Sequence, residues 1–397
     1  MCCVKLAQVK TITEGSVTIA YELQSSDTRT KGVGADDGPV FYNKVQVFNR
    51  DLSIMMISLF AQWRYIEKAE AGARKRAMHA GLGAVAAEAA GKAEKSALYA
   101  LTAAQLDARI ESEREDGIVI LDALAATGLR SIRYAREIPG VKKVISNDLE
   151  QSAHEAAKRN IAANGMEGRC EAQLGDAVMV MMAARAAPNE KRPKQLYDVI
   201  DLDPYGSSAP FIDAAVQAVA DGGLICVTST DMIVLSGNYA EVCYTRYGSF
   251  PTKAKHLHEM ALRIVLNAFE TAAARHSRHI VPVLSVSVDF YVRLFVRVYR
   301  RPIEVKRSCT KRAYVLQSTG CPTFYLQPVG RSLDRNDAFS PANYKPLTQT
   351  PRLAFHIRVH DGLVRFGIFR QELREIETFA RRPLSLSLSL SQLRSCF

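Results

Sequence analysis

What this sequence lacks narrows its class before any motif is read. No apolar run in its 397 residues reaches the ~18 needed for a helical membrane span, so an integral helical membrane protein is excluded. Met1-Cys2-Cys3-Val4-Lys5 has no long apolar stretch of the secretory kind, and an intracellular protein is expected. Eight cysteines lie scattered at positions 2, 3, 170, 226, 243, 309, 321 and 396, without the spacing of a disulfide framework, which suits a reducing compartment. Acidic residues are scarce in the last quarter. Residues 291–397 hold 19 Lys and Arg against 7 Asp and Glu, whereas residues 1–290 hold 33 against 34. A neutral body with a basic end suits chemistry in one part and the grip of a polyanion, naturally a nucleic acid, in the other. A solubilising basic surface would look the same.

From residue 117 onward, strand and helix patterns alternate. Ile118–Asp122 is an apolar run ending in an acid, Val141–Asp148 is a second strand ending in an acid, and 196–203 and 223–228 are further buried strands. Helical patterns fill 127–138, 152–164 and 209–220 between them. Such repeats predict an α/β fold with a mostly parallel sheet covered on both faces, its ligands beyond the carboxyl ends of the strands. Upstream, 17–23 alternates as a strand, 54–60 is a helical run, and 69–108 is an alanine-heavy, exposed helical insertion.

Glycine is also scarce where a nucleotide loop would need it. Asp122-Ala123-Leu124-Ala125-Ala126-Thr127-Gly128-Leu129-Arg130 keeps one glycine, Gly128, and adds a cation, Arg130, at the opening of a helix. That favours a carboxylate-bearing ligand over a pyrophosphate. Asp148 lies 20 residues past Gly128, where a carboxylate takes ribose hydroxyls. Asp176, in Gly175-Asp176-Ala177, offers an acceptor to an adenine amine. Carboxylate, ribose and adenine together describe S-adenosyl-L-methionine, although each acid alone reads as well as a helix cap.

The most informative segment is Asp201-Leu202-Asp203-Pro204-Tyr205-Gly206. Asp203 and the Pro204 carbonyl can accept hydrogen bonds from an exocyclic amine while the Tyr205 ring stacks on its base, which points to methylation of nitrogen. By itself it is equally an ordinary Asp-Pro turn. Asp201 shares a strand face with Asp203 and is expected to be structural. Further on, 291–299 alternates, putting Tyr291, Arg293, Phe295, Arg297 and Tyr299 on one face, either an RNA-binding surface or a strand face covered by another element.

Taken together, these motifs resemble the tRNA (guanine-26) N2-dimethyltransferases over most of 11–330. The likeness is carried by Phe41-Tyr42-Asn43 with Asn49-Arg50-Asp51, Leu121-Asp122-Ala123-Leu124, Thr127-Gly128-Leu129-Arg130 through Tyr134, and Asn147-Asp148. It continues in Asp201 to Ser207, Thr228-Ser229-Thr230-Asp231-Met232, and Cys243-Tyr244 through Ile264. The resemblance implies a Rossmann-like class I methyltransferase domain with a smaller, shortened α+β C-terminal domain, moving one or two methyl groups from S-adenosyl-L-methionine to the N2 amine of guanine-26 in tRNA. It implies that Arg50, Arg130, Asp148, Asp176 and Ala177 hold the cofactor, with Asp122 and Gly128 in the same loop, that Asp203 is catalytic, and that Phe41, Pro204 and Tyr205 hold the base. Read physically, Arg50 is as well a surface residue paired with Asp51. Expected domains are 1–305 for catalysis, 306–383 for tRNA binding and a low-complexity tail, 384–397. The chain is expected to be a monomer, in the nucleus or mitochondrion if eukaryotic.

The family's paired cysteines depart here. Ser318-Thr319-Gly320-Cys321 stands where the first Cys-x-x-Cys would be, and the second is absent. Cys309, Cys321, His356 and His360 lack the paired spacing of a structural zinc site, so no metal is expected. Two other readings stay open: an amine methyltransferase acting on another RNA or a protein amide, and an inactive RNA-binding relative.

Overall fold

The computed structural model describes residues 8–23, 42–185, 196–318, 321, 323–332, 344–346 and 356–358. Phe41, His360 and the Leu-Ser tail 384–397 lie outside them, as does most of the expected C-terminal domain. The chain forms two compact units, the first running to Asp176 and the second opening at Ala177.

The first unit begins with a hairpin of β1 (Gln8–Glu14) and β2 (Val17–Leu23), whose two-residue turn uses Gly15 at φ 58°. Three helices follow, α1 (Val47–His79), α2 (Gly83–Tyr99) and α3 (Ala103–Ser112). The expected insertion is therefore the outer half of α1, α2 and most of α3. It packs on three small residues, Ala73, Ala77 and Ala87, together with Leu98, and an ion pair from Arg74 to Glu88 ties α1 to α2. The inner half of α1, by contrast, is core, with Ile54, Ile57, Phe60 and Ile66 at most 1% exposed. Thr102 and Gln105 form a reciprocal capping box that starts α3.

Then come β3 (Ile118–Asp122), α4 (Leu129–Glu137), β4 (Val141–Asp148), α5 (Gln151–Ala163) and β5 (Cys170–Leu174), with β4 parallel to both β3 and β5. Gly128 precedes α4 at φ 75°, and a Cβ there would meet the Ala157 Cβ at 3.1 Å, so the loop turns and packs only with glycine.

The second unit holds α6 (Ala177–Ala184), β6 (Tyr197–Leu202), α7 (Ala209–Ala218), β7 (Val219–Ser229), the short helices α8 (Met232–Leu235) and α9 (Ala240–Tyr247), α10 (Leu257–Arg275), β8 (His279–Val288) and β9 (Tyr291–Tyr299). β6 and β7 are parallel; β9 runs antiparallel between β7 and β8. The seven-stranded, mostly parallel sheet has the order β5-β4-β3-β6-β7-β9-β8, the Rossmann-like arrangement expected. β9 settles one open alternative. Tyr291, Arg293, Phe295 and Arg297 are all 5% exposed or less, so the arginine–aromatic row is a covered sheet face and not an RNA surface. After α11 (Pro302–Lys306), β10 (Arg312–Gln317) lies between β11 (Phe324–Pro328) and β14 (His356–Arg358), with a separate pair of β12 (Gly330–Ser332) and β13 (Tyr344–Pro346).

Candidate active site

In the first unit, the expected cofactor residues gather at the carboxyl ends of β3, β4 and β5. Asp148 closes β4 and holds the loop after β3: its Oδ2 accepts from the Ala126 N–H at 2.8 Å and its Oδ1 from the Glu150 N–H at 3.0 Å. Ala126 adopts φ 49°, a conformation costly without such a clamp. A carboxylate has about four acceptor positions, so two remain for a pair of hydroxyls. Beside it, Leu149 is 60% exposed and offers an apolar surface to a flat ring.

Asn147 was a motif letter with no assigned role, and the structure gives it one. Fully buried, its Nδ2 donates to the Ala123 and Gly175 carbonyls, both at 3.0 Å, so one amide joins the loops after β3 and β5. The Gly175 N–H donates to the Asp148 carbonyl at 2.9 Å. Asp176 then projects as an exposed residue, and Ala177, 4% exposed, opens α6. Asp122 lies deeper than a direct ligand contact suggests. It is 2% exposed and accepts from Ser131 Oγ at 2.6 Å, and Ser131 also meets Ser146 Oγ at 2.9 Å, so Asp122 braces α4 against β4.

Arg50 and Arg130 converge on α1. Arg130 Nη1 approaches Ser53 Oγ at 3.4 Å, one turn beyond Arg50. Arg50 does not pair with Asp51. Its Nε and Nη2 bind Glu14 at 2.7 and 2.5 Å, Nη2 also reaches the Asn43 carbonyl at 3.1 Å, and Tyr42 stacks on it at 5.1 Å. Asp51 instead binds Arg133 at 2.8 Å, and Arg133 also reaches Glu14 at 2.7 Å. Burial pushes the Glu14 carboxyl up, but the hydrogen bonds and charges of Arg50 and Arg133 outweigh it and hold it below the ordinary range. Arg50 Nη1 keeps no hydrogen-bond partner among the described residues, and it is the nitrogen available to a ligand carboxylate.

In the second unit, the loop after β6 carries Asp203, Pro204 and Tyr205. Pro204 is buried, Asp203 half-buried, and the Tyr205 ring 81% exposed. The residues that follow are pinned to the end of β7. Gly206 N–H donates to Thr230 Oγ1 at 2.7 Å and the Thr230 N–H returns to the Gly206 carbonyl at 2.8 Å. Ser208 and Ser229 share a hydrogen bond of 2.7 Å. Ser207 Oγ donates to the Tyr247 hydroxyl at 2.8 Å, which donates to Asp231 at 3.0 Å, and Arg246 closes the far side of Asp231 at 3.0 Å. Burial and the Asp231 charge push the Tyr247 phenol well above its ordinary value, so it stays a donor. Tyr247 and Asp231 were legible only as letters of a motif; their meeting is long-range, and no local pattern announces it. Asp201 is structural: its Oδ1 binds Arg293 Nη2 at 2.8 Å with both side chains 0% exposed, and Arg293 Nη1 also reaches Thr228.

A model of the N2,N2-dimethylguanosine tRNA methyltransferase family matches residues 17–358, which takes in both sets of strand ends. The chain belongs to that family. It is 43% identical over 333 residues to the tRNA (guanine(26)-N(2))-dimethyltransferase of Mus musculus, a match covering 82% of this chain and 46% of the mouse protein. Against the Drosophila melanogaster protein of the same name the identity is 42% over 311 residues, covering 78% and 50%. The chain thus spans about half the length of the curated relatives it matches. The complex of Trm1 from Pyrococcus horikoshii with S-adenosyl-L-methionine superposes with a TM-score of 0.61 at 21% identity, covering 98% of this chain and 80% of that one, which establishes the shared fold. Among the described residues no group of three His, Cys, Asp or Glu could hold a metal ion, and no helix is long and apolar enough to cross a membrane.

Proposed function

We propose that this chain transfers one or two methyl groups from S-adenosyl-L-methionine to the exocyclic N2 of guanine-26 in tRNA. The observation that carries the reading is the Asp203-Pro204-Tyr205 loop, whose next three residues are each hydrogen-bonded to the β7 end or to α9 and whose aromatic ring is exposed for stacking. The first unit's residues fit the cofactor: Arg50 Nη1 and Arg130 for the amino-acid carboxylate, the remaining lone pairs of Asp148 for the ribose, Asp176 and Ala177 for the adenine, with Gly128 letting backbone approach.

Bound there, the cofactor supplies an electrophilic methyl group on a sulfonium. The chain's residues must do the rest. A guanine amine is a weak nucleophile because its lone pair is spread into the ring. Asp203 accepts a hydrogen bond from that amine, meets the positive charge as the new C–N bond forms, and takes the released proton. The Pro204 carbonyl accepts the second amine hydrogen, and Tyr205 stacks on the extruded base, offsetting part of the few kcal/mol lost in unstacking. Phe41 is assigned to the opposite face of the base. The basic 306–383 region is assigned to the tRNA body, following a catalytic domain through residue 305, and the chain acts as a monomer. A nuclear or mitochondrial site suits it; the mitochondrial dimethyltransferase of Saccharomyces cerevisiae is 40% identical over 298 residues, covering 75% of this chain and 50% of that protein.

The test is radiolabelled methyl transfer to tRNA transcripts carrying guanine or adenine at position 26. Counts only in the guanine transcript are expected, and Asp203→Ala should lower kcat about 100-fold or more while cofactor binding by calorimetry persists. Equal methylation of both transcripts would overturn the assigned acceptor.

A further inference from the structure

The helix that braces the Asp203 loop turns a second set of side chains outward. Tyr247, on α9, is 3% exposed and binds Ser207; one turn earlier on the same helix Tyr244 is 53% exposed, stacked on Phe250 at 4.8 Å and 17°. Tyr239, just ahead of α9, is 48% exposed. Around α9 Arg246 is paired with Asp231 and Glu259 with Arg263, which leaves Lys253 and Lys255 as the cations beside the rings. Lys253 and Lys255 are exposed and have no ion-pair partner among the described residues. A soluble surface rarely leaves rings this exposed beside unneutralised lysines without a use.

From this we infer that the shelf of Tyr239, Tyr244 and Phe250 with Lys253 and Lys255 is an RNA-contact surface that stacks unpaired bases flanking the target nucleotide. The inference rests on the methyltransferase reading and deepens it, naming a contact outside the loop that holds the base. Three features favour RNA as the occupant. An aromatic face with neighbouring cations matches a base and its phosphate together, and stacking accepts any base because all have a π-face. Lys253 and Lys255, exposed and without an ion-pair partner among the described residues, are complementary to a polyanion. The shelf is also hydrogen-bonded into the loop that carries Asp203, through Tyr247 to Ser207 and through Arg246 to Asp231, so any polymer delivering an amine to Asp203 brings its neighbouring nucleotides to α9. Extruding one base from a stem leaves its neighbours unstacked, and the shelf gives one of them a partner.

The test measures RNA binding by fluorescence anisotropy with the full chain, separately from methyl transfer. The probes are a tRNA transcript, a single-stranded oligonucleotide spanning the target guanine, and the same oligonucleotide annealed into a duplex. Tyr244→Ala is expected to weaken binding of the tRNA and the single strand about 5- to 150-fold and of the duplex far less. Lys253→Glu and Lys255→Glu should each lower the slope of log K against log salt by about 1 on every probe, and these surface changes guard against misfolding in the tyrosine variant. Cofactor affinity should be unchanged in all three. Wild-type RNA binding in every variant overturns the inference, as does equal weakening on single strand and duplex. Wild-type methylation of the guanine transcript decides the catalytic reading independently, so weakened binding by variants of an inactive wild type would support the shelf and reject only that reading.

Discussion

Replacing Tyr247 with Phe removes one oxygen and tests whether the Asp203 loop is positioned or merely connected. The hydroxyl accepts from Ser207 at 2.8 Å and donates to Asp231 at 3.0 Å. Its loss leaves a part-buried serine donor unmet and takes one donor from a buried carboxylate that keeps Arg246. An unmet buried partner costs about 1–3 kcal/mol. Ser207 is only half-buried and can turn to water, and the Gly206–Thr230 and Ser208–Ser229 bonds survive, so the lower half of that range applies. If the cost appears as misplacement of Asp203, about 1.4 kcal/mol is a tenfold fall in kcat. The cofactor dissociation constant should not move, because this relay of Ser207, Tyr247, Asp231 and Arg246 joins residues of the second unit. Hydrogen exchange of the peptide spanning 203–209 should quicken by a similar factor, a readout that a defect elsewhere would not give. Ser207→Ala should reproduce the loss, and the double variant should add little to it, since both cut one chain of bonds. Wild-type kcat in a folded Tyr247→Phe protein would refute the relay. A parallel loss of cofactor affinity would show general loosening instead of positioning.

Two further outcomes follow from the first unit. Asp148→Ala removes an acceptor of two backbone N–H groups together with the acceptor proposed for the ribose; cofactor binding by calorimetry should weaken about 10- to 150-fold, with tRNA affinity unchanged, and an unaltered cofactor constant would place the ribose elsewhere. Glu14 has a lowered pKa in the folded chain, so the stability it contributes is fully present above the ordinary glutamate value and is lost as pH falls through the folded value. Thermal midpoints should therefore decline below about pH 4.5, and Glu14→Gln should lower the midpoint at pH 7 while flattening that decline; a parallel acid limb in both proteins would show that other carboxylates set it.

Where single-sequence reading succeeded, it did so because one local rule decided the element. Ile118–Asp122 is an apolar run and Val141–Asp148 a mixed strand pattern, each stopped by an acid, and the strands have those bounds. β7 is longer than the apolar stretch suggests, because Val219 already pairs with Tyr197 and a register shift across 220–223, with two glycines, separates it from Leu224, which pairs with Val199. The period of β9 was equally visible, but period two reports only that two faces differ, not which of them meets water. Here both are covered, and Arg293 is consumed by Asp201. The alternative that paired Arg50 with Asp51 fails for a related reason. Adjacency to Asp51 suggested a pair, whereas successive helix residues point about 100° apart, and the hairpin residue Glu14, 36 positions away, reaches the guanidinium instead. Asn147, Tyr247 and Asp231 share that difficulty: each is an ordinary residue whose function is a contact made by folding.

The buried Arg293–Asp201 pair then bears on the chemistry without touching it. Asp201 lies on β6 and Asp203 two residues further on, in the loop that follows, close enough for a bare charge on Asp201 to act on that loop. A guanidinium fully enclosed with Asp201, and bonded also to Thr228 on the intervening strand, cancels that charge inside the sheet. Burying both ions is costly, and removing either partner alone costs about 3–5 kcal/mol, so the pair contributes little net stability. What it does supply is a neutral strand interior leading to an acid-bearing loop.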